Sequence, residues 1–315
     1  MISIRQKRSK AEQLKLHQME KISPQKIGII GFGNMGQALC RALIKVFGPK
    51  KLYVCDHNPE KFAKFPGINI CKNAAETLKK ADITILSVKP QGFEKLAKEY
   101  ADERSKQDTD QSISGGLGNK RPAKAGQQFL YQSKTQSKKL IISIMAGVSI
   151  AKIKRVFLDA KIVRAMPNLA VKVGHGATAW YANNLNSKEA ADVKAIFASA
   201  GYEIELESEE LLHAVTALSG SGPAYFYYLA EILADAGEKF GLSHSQAEEL
   251  ARHTFIGAAK LLEKENGEIA ILRQAVTSKG GTTEAALKSF AKNRIAQKIT
   301  EGLKKAKKRS EELAR

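Results

Sequence analysis

Cysteine, tryptophan, paired histidines and long apolar runs are all scarce in this chain of 315 residues. The three cysteines, Cys40, Cys55 and Cys71, lie in the first quarter and form no C-x-x-C. That pattern excludes a disulfide framework and a zinc site and points to a reducing compartment. No stretch approaches the ~18 consecutive apolar residues of a membrane span. Residues 1–25 lack the apolar core of a secretory signal. A cytoplasmic protein without a membrane partner is the expectation. The six histidines, His17, His57, His175, His213, His244 and His253, never stand at metal-ligand spacing. Ser219 and Ser221 occupy a glycine-rich break without the strand-to-helix setting of G-x-S-x-G. With no resident metal or nucleophile constellation in view, the chemistry falls to a bound organic cofactor.

Acidic residues are also short, 32 against 51 Lys and Arg, for a net charge of +19. The excess is local. Residues 1–26, 103–139 and 288–315 carry +5, +5 and +7. Aromatics are nearly absent from these segments, and no nucleic-acid-binding motif occurs. They read as solvated, peripheral segments. Residues 1–25 are expected to be a disordered basic tail, with residues 1–18 an extension from an upstream start codon. Residues 103–137, rich in Ser, Gln, Gly and Lys, read as a flexible surface insertion.

What is present begins with Lys26–Phe47. A short apolar run (Ile27, Ile29, Ile30) meets Gly31-Phe32-Gly33-Asn34-Met35-Gly36, and Ala38, Leu39, Ala42, Leu43 and Val46 follow at helical spacing. Strand, glycine turn and helix in that order are the context in which G-x-G-x-x-G signals a dinucleotide site. Gly31 permits the tight turn, Gly33 lets backbone approach a pyrophosphate, and Gly36 lets helix and strand pack.

Further strands are expected at 51–56, 68–71, 82–88, 138–145 and 161–165, with helices at 60–65, 74–80 and 150–157 between them. This alternation implies an α/β, Rossmann-type doubly wound parallel sheet over 26–167, with its ligand at the strand carboxyl ends. Residues 168–315 are expected to form a mainly helical dimerisation and substrate domain. Short strands at 178–182 and 202–207 flank a helix at 187–200. A helix begins at Ser208, its N-cap, and is broken over 217–223. Helices follow at 224–240, 245–265, 268–276 and 283–313. The stretch 224–240 is apolar on nearly every side, which suits burial in a helical core or a subunit interface.

Asp56 ends the second strand 20 residues after Gly36. A carboxylate there suits an adenosine ribose 2′-OH and repels a 2′-phosphate, so the sequence leans to NADH over NADPH. Within Asp-His-Asn-Pro-Glu it also reads as a turn aspartate. Ser87-Val88-Lys89-Pro90 closes the fourth strand. Lys89 there is either an electrostatic or water-positioning group or a solvated loop lysine. Ile144-Met145-Ala146 ends the fifth, where small residues let a flat ring approach. Val276-Thr277-Ser278-Lys279-Gly280-Gly281-Thr282-Thr283 precedes a helix. It is either a carboxylate-binding helix start or a capped start and nothing more.

Together, IGIIGFGNMGQAL, LSVKPQ, SIMAGVSI, VRAMPN, GHGATA, HAVTALSGSGPAYFYYLAEILADAGEKFGL and VTSKGGTTEAAL resemble the pyrroline-5-carboxylate reductases, in that family's order from Lys26 to Leu287. The resemblance implies reduction of L-1-pyrroline-5-carboxylate to L-proline with NADH or NADPH, the last step of proline biosynthesis. It implies a homodimer, often assembled into a decamer, with the partner contributing helices to each site. It carries cofactor contacts onto Gly31, Phe32, Gly33, Asn34, Met35, Asp56, Asn73, Ser87, Val88, Lys89, Pro90, Ile144, Met145 and Ala146. It carries substrate contacts onto Val276, Ser278, Gly281, Thr282 and Thr283, with Thr283 on the imine nitrogen. Thr283 and Lys89 are the candidate catalytic residues, Lys89 as the electrostatic or water-positioning group near the nicotinamide. Lys279 stands where that family commonly has proline, Leu169-Ala170 where it often has Thr-Pro, and His175 where Glu is common. Two rival readings accompany this one. One is a related reductase acting on another cyclic imine or a β-hydroxyacid. The other is a basic surface- or nucleic-acid-associated protein on a Rossmann scaffold.

Overall fold

The computed structural model describes residues 26–114, 139–265 and 267–314, without the side chains of 104–114. The expected basic tail at 1–25 and most of the expected insertion therefore lie outside the described residues. The described chain divides into two units. The first runs to Val215 and takes in residues from Ser310 onward; the second is Thr216–Arg309.

The first unit is built on an eight-stranded sheet ordered β3-β2-β1-β4-β5-β6-β7-β8. Its strands are β1 (Ile27–Ile30), β2 (Leu52–Cys55), β3 (Asn69–Ile70), β4 (Ile83–Leu86), β5 (Leu140–Ser143), β6 (Lys161–Met166), β7 (Gly176–Ala182) and β8 (Gly201–Glu205). The first six are parallel to their neighbours, from Ile27 opposite Leu52 and Ile83 outward. β7 turns antiparallel to β6, and β8 runs parallel to β7. β1, β4 and β5 are buried at every position. Continuous Ile/Leu runs are what a sheet covered on both faces requires.

The helices of this unit are α1 (Asn34–Phe47), α2 (Ala74–Lys80), α3 (Phe93–Ser114), α4 (Ile150–Val156), α5 (Ser187–Ala198) and α6 (Leu211–Val215). α1 sets Leu39, Leu43 and Phe47 into the core. Each such burial is worth about 1.5–3 kcal/mol. α5 opens with a reciprocal capping box between Asn186 and Glu189.

Four sequence expectations are corrected here. The domain boundary expected after 167 falls between two paired strands, and the sheet continues through β7 and β8. The insertion expected from 103 is helical to Ser114, because α3 continues through a polar stretch free of glycine and proline. The helix expected at 60–65 is a single tight turn, Pro59–Phe62, capped by Asn58. The helix expected to begin at Ser208 begins three residues later, as α6 at Leu211.

The second unit is helical: α7 (Gly222–Lys239), α8 (His244–Lys264), α9 (Ile269–Ala275), α10 (Thr282–Lys292) and α11 (Ile295–Leu313), whose last turn groups with the first unit. The expected break at 217–223 is instead a wide helical turn, Thr216–Gly220, that leads into α7. The single helix expected over 283–313 is two. Arg294 takes a left-handed φ of 55° and ends α10 before α11 begins. No helix among the described residues is long and apolar enough to cross a membrane.

Candidate active site

The carboxyl ends of β1, β2, β4 and β5 form one edge. Backbone hydrogen bonds knit it together: Gly31 N–H to Cys55 O, Ser87 N–H to Ile30 O and Ile144 N–H to Leu86 O, at 3.0, 2.8 and 3.1 Å. β1 and β4 are adjacent at the point where strand order reverses, the place where open α/β sheets bind ligands.

Gly31 has φ of 92°, and a Cβ there would lie 2.8 Å from the Ser87 carbonyl and Val88 nitrogen. Only glycine meets both demands. Gly36 packs so closely on the Gly31 carbonyl that a Cβ would overlap it. Gly33 differs, since among the described residues a Cβ there would meet nothing within 4 Å. Gly33 is also the N-cap of α1, and no side chain caps that end. The α1 start therefore presents backbone N–H groups to open space.

Phe32 points the other way. Its ring is fully buried, 5.2 Å from Phe62 and 4.8 Å from Phe65, and Arg41 lies over Phe65. Its N–H donates to Asp56 Oδ2 at 2.6 Å. Phe32 thus anchors the glycine loop by both its backbone and its side chain. Asp56 Oδ1 accepts from Asn58 N–H at 2.9 Å and Lys61 Nζ at 2.7 Å. Burial alone would raise the Asp56 carboxyl pKa. The Lys61 hydrogen bond and charge and the two backbone N–H donors outweigh burial and hold it below the ordinary value. Asp56 is at once a turn aspartate and the clamp on the glycine loop. A carboxylate accepts about four hydrogen bonds, and three are taken.

Asn73 caps α2, its Oδ1 accepting from Glu76 N–H at 2.9 Å. Ser87 Oγ is buried and has no hydrogen-bond partner among the described residues. Lys89 and Pro90 are exposed beyond it, and Val88 is half-buried. At the end of β5, Met145 is buried in the core, whereas Ile144 and Ala146 are half-buried. Asn34 is exposed and Met35 half-buried at the α1 start. Cys55, one residue before Asp56, is a buried thiol that burial pushes to about 11, so it stays protonated at neutral pH.

These features fit a nicotinamide dinucleotide. The open face of Gly33, the uncapped α1 start and the unpartnered Ser87 hydroxyl offer donors and room along one edge. An unsatisfied buried hydroxyl costs about 1–3 kcal/mol, so a partner there stabilises the fold.

The remaining predicted residues belong to the second unit. Gly281 is the N-cap of α10, and no side chain among the described residues caps that helix. Gly280 has φ of 75°, and its N–H donates to Glu284 Oε2 at 2.9 Å. A Cβ on Gly281 would overlap the Ser278 hydroxyl. Thr282 is exposed, Thr283 half-buried and Val276 exposed. The α10 start is therefore a glycine-shaped loop with its helix N–H groups open. Among the described residues no hydroxyl caps that end.

Sequence reasoning missed a second network behind the β5 end. Glu209 Oε1 accepts from Arg164 Nη1 at 2.7 Å and from Ile150 N–H at 2.8 Å. Arg164 is almost fully buried. These partners lie 45 and 59 residues from Glu209, so no local pattern announces them.

Residues 26–110 match a family described as NADP oxidoreductase coenzyme F420-dependent, and residues 209–313 match pyrroline-5-carboxylate reductase dimerisation. A pyrroline-5-carboxylate reductase of Pseudomonas aeruginosa is 34% identical over 93% of this chain and 98% of its own. One from Synechocystis is 34% identical over 92% and 98%. The solved pyrroline-5-carboxylate reductase of Coxiella burnetii superposes with a TM-score of 0.78 at 29% identity, covering 93% of this chain and all of that one. That of Plasmodium falciparum, solved with NADP bound, gives 0.70 at 27% identity, covering 92% and 98%. A doubly wound edge shaped for a dinucleotide, joined to a helical unit matched to that family's dimerisation region, leads to one assignment: this chain belongs to the pyrroline-5-carboxylate reductase family.

Proposed function

We propose that the chain reduces L-1-pyrroline-5-carboxylate to L-proline as a self-associating NAD(P)H-dependent enzyme. The observation that carries this reading is the match of residues 209–313 to the dimerisation region of that family. The strand edge alone argues only for a dinucleotide.

NAD(P)H supplies a hydride to the imine carbon C5, and the ring nitrogen ends protonated. The chain works by position. Gly33 and the first N–H groups of α1 hold the pyrophosphate. Ser87 Oγ gains the partner it lacks. Ala146 leaves room for a flat ring, and Lys89 adds positive charge near it. Thr282 and Thr283 at the open α10 start hold the substrate carboxylate, with Lys279 adding charge, and the Thr283 hydroxyl hydrogen-bonds the ring nitrogen. The α10 start is contributed by a second copy of the chain. No strong general acid is required when the imine reacts as its iminium. Holding the reacting carbons about 3–3.5 Å apart supplies most of the rate.

Cofactor choice leans to NADH, because Asp56 is held ionised where a 2′-phosphate would lie. Lys61 offsets only part of that charge. Purified protein is expected to oxidise NADH or NADPH when given pyrroline-5-carboxylate. No oxidation of either between about pH 5 and 9, a window that spans iminium titration, overturns the reading.

A further inference from the structure

The β5–α4 turn is held from the far end of the chain. Beyond Ala146 the backbone passes through Gly147, buried and at φ of 73°. A Cβ on Gly147 would lie 2.7 Å from the Leu313 carbonyl oxygen and 3.3 Å from Leu313 Cβ. The last turn of α11 therefore lies directly on this turn. Ser310, one helical turn earlier, is 94% buried, and its hydroxyl meets His213 Nδ1 of α6 at 2.9 Å. Just before α6, Glu209 fixes Ile150, the first residue of α4, and is itself fixed by Arg164 of β6. The turn is thus pinned on two sides. Glu209 grips its exit, and Leu313 covers its middle, with Ser310 securing Leu313 to α6.

We propose that the Ser310–Leu313 turn is a strap that positions the β5–α4 turn, and with it Ala146, against the nicotinamide end of the cofactor. The inference rests on dinucleotide binding at this edge, as proposed above. Ser310 and Leu313 are positioning residues, since they act through Gly147 and do not face the cofactor edge themselves. Three features favour a strap over ordinary helix packing. Ser310 is the one buried polar residue of α11 among the described residues. Its partner lies 97 residues away. The turn it covers has a glycine where any other residue would be both strained and blocked.

The strap touches the turn that carries the nicotinamide end and leaves the glycine loop and Asp56 alone. Losing it should weaken the whole dinucleotide and spare the adenosine half. The test compares wild type with Ser310→Ala, Ser310→Thr and a chain ending at Arg309. For each, the Kd of the reduced dinucleotide is read from its own fluorescence. The Kd of matched ADP-ribose, 2′-phosphorylated if wild type prefers NADPH, is read by calorimetry. In Ser310→Ala and the shortened chain the dinucleotide Kd is expected to rise about tenfold, a modest instance of the losses that small misplacements cause. ADP-ribose should bind within about twofold of wild type by the same argument. Ser310→Thr, which keeps the hydroxyl, should restore binding. Equal loss of both ligands, or of neither, overturns the strap, and Ser310→Ala applies the same test should the shortened chain fail to fold. A wild type that binds neither NADH nor NADPH overturns the underlying reading instead.

Discussion

The two units bury themselves to very different degrees. In the first, β1, β4 and β5 are fully covered, and two large clusters of Ile, Leu, Val and Phe fill both faces of the sheet. In the second, the buried cluster among the described residues is three alanines, Ala234, Ala247 and Ala251. Its large apolar groups face outward: Phe226, Tyr227 and Tyr228 of α7 are each more than 60% exposed. Leu250, Leu261, Ile271 and Phe290 are exposed as well. Large exposed apolar side chains concentrated in one unit suit an interaction surface. The first unit completes its core from its own sequence. The second leaves its large apolar groups outward, which suits the self-association that its family match describes.

That contrast can be broken at each end. The largest effect is expected from Gly31→Val. It forces a β-branched residue to positive φ and drives a Cβ into Ser87, at a cost of about 3 kcal/mol or more. Dinucleotide binding, measured by fluorescence titration, should be lost while self-association, measured by sedimentation, persists. The reverse is expected from the double variant Phe226→Glu, Tyr228→Glu. Each substitution removes about 1.5–3 kcal/mol of apolar burial from an interface. Sedimentation should then show monomers that still bind the dinucleotide but reduce no substrate. A monomer with full activity would show that the site is complete within one chain.

The smallest effect is expected from Asp56→Asn, which sharpens the comparison inside the first unit. The Asp56 pKa is lowered on folding, so its contribution is fully present above the ordinary aspartate value of about 4. That contribution is lost as pH falls through the lower folded value. Wild-type stability should therefore fall with acid below about pH 4, and this part of the fall should be absent in the variant. At neutral pH the variant should lose about 1–2 kcal/mol, since charged hydrogen bonds to Phe32, Asn58 and Lys61 are weakened. Its preference, read as the ratio of kcat/KM values, should shift toward NADPH. An unchanged ratio would assign Asp56 to the loop alone.

Much of the first unit was legible in the sequence because its signals are local. Ala74–Lys80 appears as a helix with the bounds its spacing indicates, and Gly31, Gly33 and Gly36 each sit as the fingerprint requires. Two expectations fail because local composition is a weak guide to where a helix ends. The polar run after Glu103 reads as loop yet continues as helix, and Asn293-Arg294 passes for helix interior yet breaks it. Asp56 was legible as a charge at a strand end. Its bond to Phe32, 24 residues back, was not.

The sequence by itself determined that a parallel sheet carries a glycine loop at its edge, followed by a helical half. Hydrophobic periodicity and glycine placement act over a few residues, so they can be read without the fold. Only the tertiary structure decided that Phe32 is an anchor, that the Ser87 hydroxyl has no partner among the described residues, and that Leu313 covers Gly147. Those facts depend on which distant segments share a volume. Close packing and hydrogen-bond satisfaction act over a few ångströms of space, however far apart the partners stand along the chain.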